Sequence, residues 1–426
     1  MKRTAMSPKA NRSRRFLAKL SLVLLGFLFG AIVAEIGLRI VGYSYPEFYV
    51  LDHVRGYALR PGVEGWYRKE GEAYIHVNSD GLRDREHSIA KPENTIRIAI
   101  LGDSYPEALP VSEHEAFWSV MENRLQECSA LAARRVEVIN FGVSGYGTAQ
   151  ELLTLREEVW KYSPDLVMLA MTTNNDIADN SRVLKKTDEI PYFVYQQDRL
   201  VLDASFQASR TFAWRQKTIS RIGRWVRDHS RLVQATIEGH HALKIRTAGW
   251  RARKPENKDT QAATPSPVAG QPTQTQEKLS RADEPGVDNL IYLEPDNADW
   301  KEAWRVTEGL IQAMRDEVKT RGAQFVVVTL SNGIQVVPNR QVREAFMKRL
   351  GVQDIFYPDN RIKTFCGHEA IPVITLAPEL QRLAETNNAF LHGFGTNIGN
   401  GHWNPVGHCA AGELMAKKLC EEVLSK

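Results

Sequence analysis

The chain has 426 residues, 43% of them hydrophobic and 25% charged, an ordinary globular composition for one large catalytic domain with appendages. Much of its formal net charge of +4 sits at the extreme N-terminus, so the charge does not mark a nucleic-acid binder. Four cysteines are too few for a disulfide scaffold and no zinc-type Cys/His spacing occurs.

The basic residues Lys2, Arg3, Lys9, Arg12, Arg14, Arg15 and Lys19 precede an uncharged run from Leu20 to Ala34. Beyond Glu35 the apolar character resumes through Ile36, Leu38, Ile40 and Val41. A spanning helix needs roughly 20 apolar residues, and Lys19 and Arg39 can extend this one by snorkelling to the two interfaces. A cleaved signal peptide competes, but the small-x-small pattern around Ala31 and Ala34 is poor and the helical pattern runs past it. The expectation is a transmembrane anchor over 20–42, with a cytoplasmic tail at 1–19 and everything beyond about Tyr43 outside the inner membrane, in the periplasm. That compartment permits disulfides. Cys409 and Cys420 are expected on one helix about three turns apart and cannot pair with each other. A bridge must join one of them to Cys128 or Cys366, or all four stay reduced.

Residues 43–95, rich in Tyr, Gly, Pro and charge, read as a lead-in segment. Within it Tyr74 to Val77 alternates weakly like a strand and Gly81-Leu82-Arg83-Asp84 reads as a turn. The first part of the main domain, 96–204, opens with the apolar run Ile98 to Leu101, a buried strand that stops at Gly102-Asp103-Ser104. Glu113 to Cys128 has helical spacing, with Phe117, Val120, Met121 and Leu125 on one face. Val136 to Phe141 is a second strand, ending in Gly142-Val143-Ser144-Gly145-Tyr146-Gly147. A helix over Gln150 to Tyr162 leads through Pro164-Asp165 into a third strand, Leu166 to Met171, followed by Thr172-Thr173-Asn174-Asn175-Asp176. Strand, helix, strand, helix, strand is the pattern of a parallel sheet with right-handed crossovers.

Residues 205–286 interrupt the rhythm. Residues 205–254 interleave arginines with Phe212, Trp214, Ile222, Trp225, Val226, Leu232 and Val233. That composition fits contact with a membrane surface, a lid over the site, or a helical insertion with a solvated basic face. Glu256 to Pro285 is rich in Pro, Gln, Thr and Ala with almost no apolar bulk, and reads as disordered. The α/β rhythm returns over 287–426. Helices are expected at Trp300 to Thr320, Val342 to Leu350 and about Glu379 to Glu385, with a strand at Phe325 to Leu330 and a short strand or loop at Ile371 to Leu376. The loop Gly399-Asn400-Gly401-His402-Trp403-Asn404-Pro405-Val406-Gly407-His408 precedes a closing helix from Ala410 to Leu424.

Ser104, Gly145 and Asn175 each follow a core strand, and strand ends on one edge of a parallel sheet converge. With His402 in the late Gly-rich loop, these residue types suit acyl transfer to or from an ester. A serine hydroxyl attacks, a histidine takes its proton, and a glycine N–H with an asparagine amide receives the developing oxyanion. Other candidates have plainer readings: Ser144 as a turn hydroxyl outside any G-x-S-x-G elbow, Asp103 as a turn brace, Asp176 as a cap, His408 as a helix-start histidine, and Trp403 as packing or site lining.

Gly-Asp-Ser, Ser-Gly-Tyr-Gly, Asn-Asp and a late His, in that order at strand ends, resemble the SGNH/GDSL hydrolase superfamily over Arg97 to Asn180 and Gly399 to Leu424. The resemblance implies a three-layer α/β/α, flavodoxin-like parallel sheet. It implies Ser104 as nucleophile and His402 as base, with the Ser104 N–H, Gly145 and Asn175 as oxyanion donors. It also implies an esterase or O-acyltransferase without cofactor, acting on an acylated small molecule or carbohydrate. Two departures matter. Thr173 stands where the family usually has glycine, and Asn400 and Gly399 stand where an aspartate usually precedes the histidine. Asn400 is a possible orienter of His402, but it carries no charge. The alternatives are a backbone carbonyl, a distant carboxylate such as Asp359, or a catalytically weak protein that binds and assembles envelope polysaccharide.

Overall fold

A computed structural model describes residues 8–131, 134–252 and 287–425. The stretch 256–285, expected to be disordered, lies outside them. The described residues divide into two units, 8–47 with 218–252 and 48–217 with 287–425.

The larger unit is built on five parallel strands: β5 (Thr95–Gly102), β6 (Arg135–Asn140), β7 (Leu166–Met171), β10 (Gln324–Thr329) and β11 (Val373–Thr375). Their spatial order is β11-β10-β7-β5-β6, with all pairings parallel. Numbered within the sheet this is 2-1-3-4-5, the flavodoxin-like order. Every residue of β5 and β7 is buried, because helices cover both faces. Ala99, Leu101, Val167 and Leu169 pack under the helices Thr148–Glu157, Ala298–Thr320, Arg340–Leu350 and Tyr357–His368. Ile98, Ile100, Met168 and Ala170 pack under Phe117–Leu125, Ala377–Asn387 and Pro405–Lys418. The result is a three-layer α/β/α domain.

Three antiparallel hairpins decorate it: β1 (Tyr49–Asp52) with β2 (Gly56–Leu59), β3 (Glu64–Tyr67) with β4 (Ala73–His76), and β8 (Tyr192–Gln196) with β9 (Arg199–Asp203). The first two form a small third core in which Leu59, Val63, Ile75 and Val77 pack against Leu109, Val143 and Tyr146. Those last three residues belong to the loops after β5 and β6. The lead-in segment is therefore laid over the carboxyl ends of the strands.

The closing helix starts at Pro405 rather than Ala410. Asn404 caps it by accepting the Gly407 N–H at 3.0 Å, and Pro405 occupies a first-turn position where no N–H is needed. The turn that follows it, Leu419–Val423, brings Cys420 to Cys128 in a disulfide that closes a separation of 292 residues, while Cys366 is buried and free and Cys409 is exposed and free. A long closed loop removes much entropy from the unfolded chain. Replacing both Cys128 and Cys420 by serine is expected to lower the unfolding free energy by up to about 5 kcal/mol, seen as a fall in the urea midpoint.

In the smaller unit, one helix (Pro8–Ile40) contains the stretch Phe16–Ile40, long and apolar enough to cross a membrane, with none of its residues buried. Helices Thr218–His229 and Arg231–Ala252 complete the unit.

Candidate active site

At the switch point of the sheet, between β5 and β7, the chain leaves β5 through Gly102 and Asp103 into the short helix Ser104–Glu107. Asp103 is fully buried and braces this turn. Its Oδ1 accepts the Tyr105 N–H at 3.1 Å and the Thr172 hydroxyl at 2.9 Å, and its Oδ2 accepts the Asn175 amide at 3.0 Å. One carboxylate thus links the loops after β5 and β7 and sets Ser104 at the helix start, half-buried.

His402 comes to that serine from the loop before the last helix. Its Nε2 lies 2.8 Å from Ser104 Oγ, so the hydroxyl can donate to the imidazole. The Nδ1 side of the ring meets Glu70, in the turn between β3 and β4. Glu70 Oε2 hydrogen-bonds Nδ1, and Oε1 accepts the His402 backbone N–H at 2.8 Å. Ser104, His402 and Glu70 form one continuous hydrogen-bonded line.

Asn400 does not take the orienting position. Its backbone N–H donates to the Asn397 carbonyl at 3.2 Å, its carbonyl accepts the Asn397 amide at 3.4 Å, and the imidazole turns to Glu70 instead. Asp359 is buried elsewhere, accepting from Thr329 Oγ1 at 2.6 Å and Gln335 Nε2 at 2.7 Å. Glu70 escapes local motif reading because it stands 332 residues before the histidine it contacts. The one local mark of the contact is Gly401, at φ +83°, where a Cβ would lie 2.1 Å from Glu70 Oε1. Only a glycine admits the carboxylate there.

Burial by itself would push the imidazole pKa down. The hydrogen bond and charge of Glu70, with Asp103 and Glu107 further off, outweigh it and hold His402 above the ordinary histidine value. Glu70 responds reciprocally: burial raises its pKa, but the His402 bonds and charge bring it net below the usual carboxylate range. The His402 and Glu70 side chains keep 29% and 20% of their surface, so solvent reaches the pair.

The loop after β6 carries Gly145 at φ +78°, and a Cβ there would come 2.7 Å from Tyr57 Oη. Tyr57 donates its hydroxyl to the Ser144 carbonyl at 2.8 Å, while Ser144 Oγ is engaged by Glu107. Tyr49 donates to the same Glu107 carboxyl at 2.9 Å. Burial pushes Glu107 up to about 7, against the hydrogen bonds of Ser144 and Tyr49. Ser144 is thereby a bracing hydroxyl, and tyrosines of the lead-in segment hold the Gly145 loop. Asn175 Oδ1 accepts the Asn174 amide at 3.1 Å, which fixes the Asn175 NH₂ toward Asp103. Among the described residues, neither the Ser104 nor the Gly145 N–H has a hydrogen-bond acceptor.

Beneath the site, His392 is buried and pushed down to about 4 by that burial. Its neutral ring donates Nδ1–H to the Gly401 carbonyl at 2.6 Å and accepts from Ser331 Oγ, 3.0 Å away, at Nε2. Trp403, also fully buried, donates to the same Ser331 oxygen at 2.9 Å. This network fixes the loop that presents His402, and Trp403 packs rather than lines a site. His408 is stacked on Phe117, accepts the Phe117 N–H at 3.2 Å, and is pushed down to about 3 by burial. Asp176 accepts the Thr172 N–H at 2.7 Å and closes its own turn. Among the described residues, no cluster of three or more His, Cys, Asp and Glu side chains is placed to hold a metal ion.

No protein-family model matches the sequence, and no curated protein sequence matches it. Solved structures similar to the chain include an acetyl xylan esterase, 13% identical, covering 77% of this chain and 100% of its own, with a TM-score of 0.34. An acetylxylan esterase from Geobacillus stearothermophilus is 11% identical over 76% of this chain and 93% of its own, with a TM-score of 0.35. An alpha/beta hydrolase from the metagenome of Lake Arreo is 11% identical over 77% and 97%, with a TM-score of 0.35.

Proposed function

We propose that this protein is a serine ester hydrolase or O-acyltransferase working through an acyl-serine intermediate. The observation that carries the reading is the line Ser104 Oγ, His402 Nε2 at 2.8 Å, His402 Nδ1, Glu70. It has the nucleophile, base and orienting carboxylate in the order that acyl transfer requires. As Ser104 Oγ adds to the ester carbonyl, its proton passes to His402 Nε2 and the Glu70 carboxylate stabilises the imidazolium. The carbonyl oxygen becomes an oxyanion, received by the N–H groups of Ser104 and Gly145 and by the amide hydrogen of Asn175 that Asp103 does not hold. Collapse breaks the ester C–O bond and His402 returns the proton to the leaving alcohol. Water then attacks the acyl-serine in hydrolysis, or a second hydroxyl does so in transfer, by the same proton route reversed.

The compartment supports a substrate class. The apolar stretch Phe16–Ile40 follows a basic N-terminus, an order that leaves the catalytic domain outside the cytoplasm, and the Cys128–Cys420 bridge suits an oxidising surrounding. The proposed substrate is an O-acylated carbohydrate of the cell envelope or one secreted past it. A binding protein with weak catalysis would need His402 to lack a carboxylate partner, and Glu70 supplies one.

The full-length chain in detergent is expected to hydrolyse a short-chain aryl ester and to take a fluorophosphonate label on Ser104, both abolished in Ser104→Ala. Absence of turnover from acetyl through longer acyl esters, with Ser104 unlabelled, would overturn the enzymatic reading.

A further inference from the structure

In the smaller unit, helix Thr218–His229 carries an apolar stripe that stays exposed among the described residues, although the Trp225 ring stacks on His229 with centroids 4.4 Å apart. Ile219 is 66% exposed, Ile222 52%, Trp225 61% and Val226 38%. Their spacing at i, i+3, i+6 and i+7 places all four on one helical face, while Ser220, Arg224, Arg227 and Asp228 are partly covered on the other. A solvated helix has no reason to present two isoleucines and a tryptophan to water. What it faces is fixed by where it is tied.

The turn between this helix and the next is clamped to the last turns of the apolar Phe16–Ile40 stretch. The Glu35 carboxylate accepts the Ser230 hydroxyl at 3.0 Å, the Arg231 N–H at 3.0 Å and the Leu232 N–H at 2.9 Å, capping helix Arg231–Ala252. The Arg39 guanidinium donates to the His229 carbonyl at 2.6 Å, at the end of the preceding helix. Further along, Arg231 donates to Ser44 Oγ at 2.8 Å, the Tyr45 N–H donates to Gln234 at 2.8 Å, and Arg227 pairs with Glu47. Glu35 is thereby satisfied, and so are the orphan backbone groups at both helix ends. If Phe16–Ile40 spans a bilayer, residues 35–47 mark its emergence and helix Thr218–His229 ends at that depth.

We propose that the Ile219, Ile222, Trp225 and Val226 face of helix Thr218–His229 lies in the interfacial layer of the phospholipid bilayer that Phe16–Ile40 crosses. The stripe enters the upper acyl region, Trp225 sits at the boundary where an amphipathic ring is favoured, and Arg221 stands beside it at headgroup level. The anchor then enters the membrane as a span plus a lateral foot, which restricts its tilt. The inference rests on the reading of Phe16–Ile40 as a membrane span.

The test uses the full-length chain in phosphatidylcholine–phosphatidylglycerol vesicles, with single cysteines carrying an environment-sensitive fluorophore in a Cys409→Ser background. Cys366 is buried and the other two cysteines are bridged, so only the introduced thiol reacts. Ile222→Cys reports the stripe, Leu28→Cys the span and Val342→Cys, on the larger unit, exposure to water. Ile222→Cys is expected to show blue-shifted emission quenched by lipids brominated on their acyl chains, as Leu28→Cys does, with Val342→Cys unaffected. Quenching at 28 with an Ile222→Cys signal like that of Val342→Cys would overturn the inference and leave the span standing. No quenching at 28 would overturn both.

Discussion

Glu70→Gln is expected to lower kcat for ester turnover by about 10⁴ while leaving the chain folded, because a neutral amide can present its NH₂ to Nδ1 and stabilise the wrong imidazole tautomer. Glu70 touches no reacting atom in this arrangement. It acts through His402, holding both the ring and the backbone N–H of that residue. Its role is positioning and electrostatic, and the pH profile separates that role from a structural one. His402 must be neutral to accept the Ser104 proton, so kcat/KM rises as pH climbs through the histidine pKa. In the wild-type chain Glu70 holds that pKa above the ordinary histidine value, which moves the acid limb upward. With the carboxylate gone, burial is left to act and the pKa falls. The residual activity of Glu70→Gln is therefore expected to extend to lower pH than the wild type, with a far lower plateau. A lower plateau with an unmoved limb would mean that Glu70 only supports the loop.

The parts of this protein that were legible in the sequence are those whose causes are local. Parallel strands buried on both faces must be apolar throughout, so Leu166–Met171 reads directly as a strand, two of its neighbours shift by one residue at each end, and the first core strand starts three residues earlier, at Thr95, and ends one later, at Gly102. Ser104 and His402 carry their own turn chemistry, a Gly-Asp before one and a Gly-rich loop around the other, and the fold sets them 2.8 Å apart. Glu70 had no such mark. It sits in a hairpin turn among charged residues, and its importance comes from tertiary packing of the lead-in segment over the strand ends. Local spacing pointed instead to Asn400, two residues from the histidine. Elsewhere the same rule holds. The β8–β9 hairpin turns at Gln197-Asp198, both at positive φ, without the Asn-Gly or Asp-Gly pair that announces such turns. Helix Tyr357–His368 buries Pro358, Asp359, Ile362 and Cys366 at helical spacing, but a proline, a carboxylate and a cysteine do not mark that face as an apolar stripe.

Gly401→Ala is expected to cost activity almost as severely as Glu70→Gln, approaching the ~10⁴ loss, although the Ser104, His402 and Glu70 side chains are all unaltered. A Cβ at 401 would lie 2.1 Å from Glu70 Oε1. The carboxylate is the end of a flexible side chain and can swing away, so the fold accommodates the methyl group. In moving, it gives up both bonds to His402. The change also forces an L-residue to φ +83°, a strain of about 1–2 kcal/mol that is independent of Glu70. Gly399→Ala controls for that strain. Residue 399 has φ +94° in the same loop, but its Cβ would meet the Phe390 ring at 3.3 Å and neither Glu70 nor His402. Thermal melts of the two variants should therefore fall by similar amounts, while only Gly401→Ala loses most of its kcat/KM and shifts its acid limb downward. Combining Gly401→Ala with Glu70→Gln should then add little to either single loss, since both remove the same contact. Equal activity in Gly401→Ala and Gly399→Ala would show that His402 works without its carboxylate, and Ser104 with His402 would then have to be treated as a dyad.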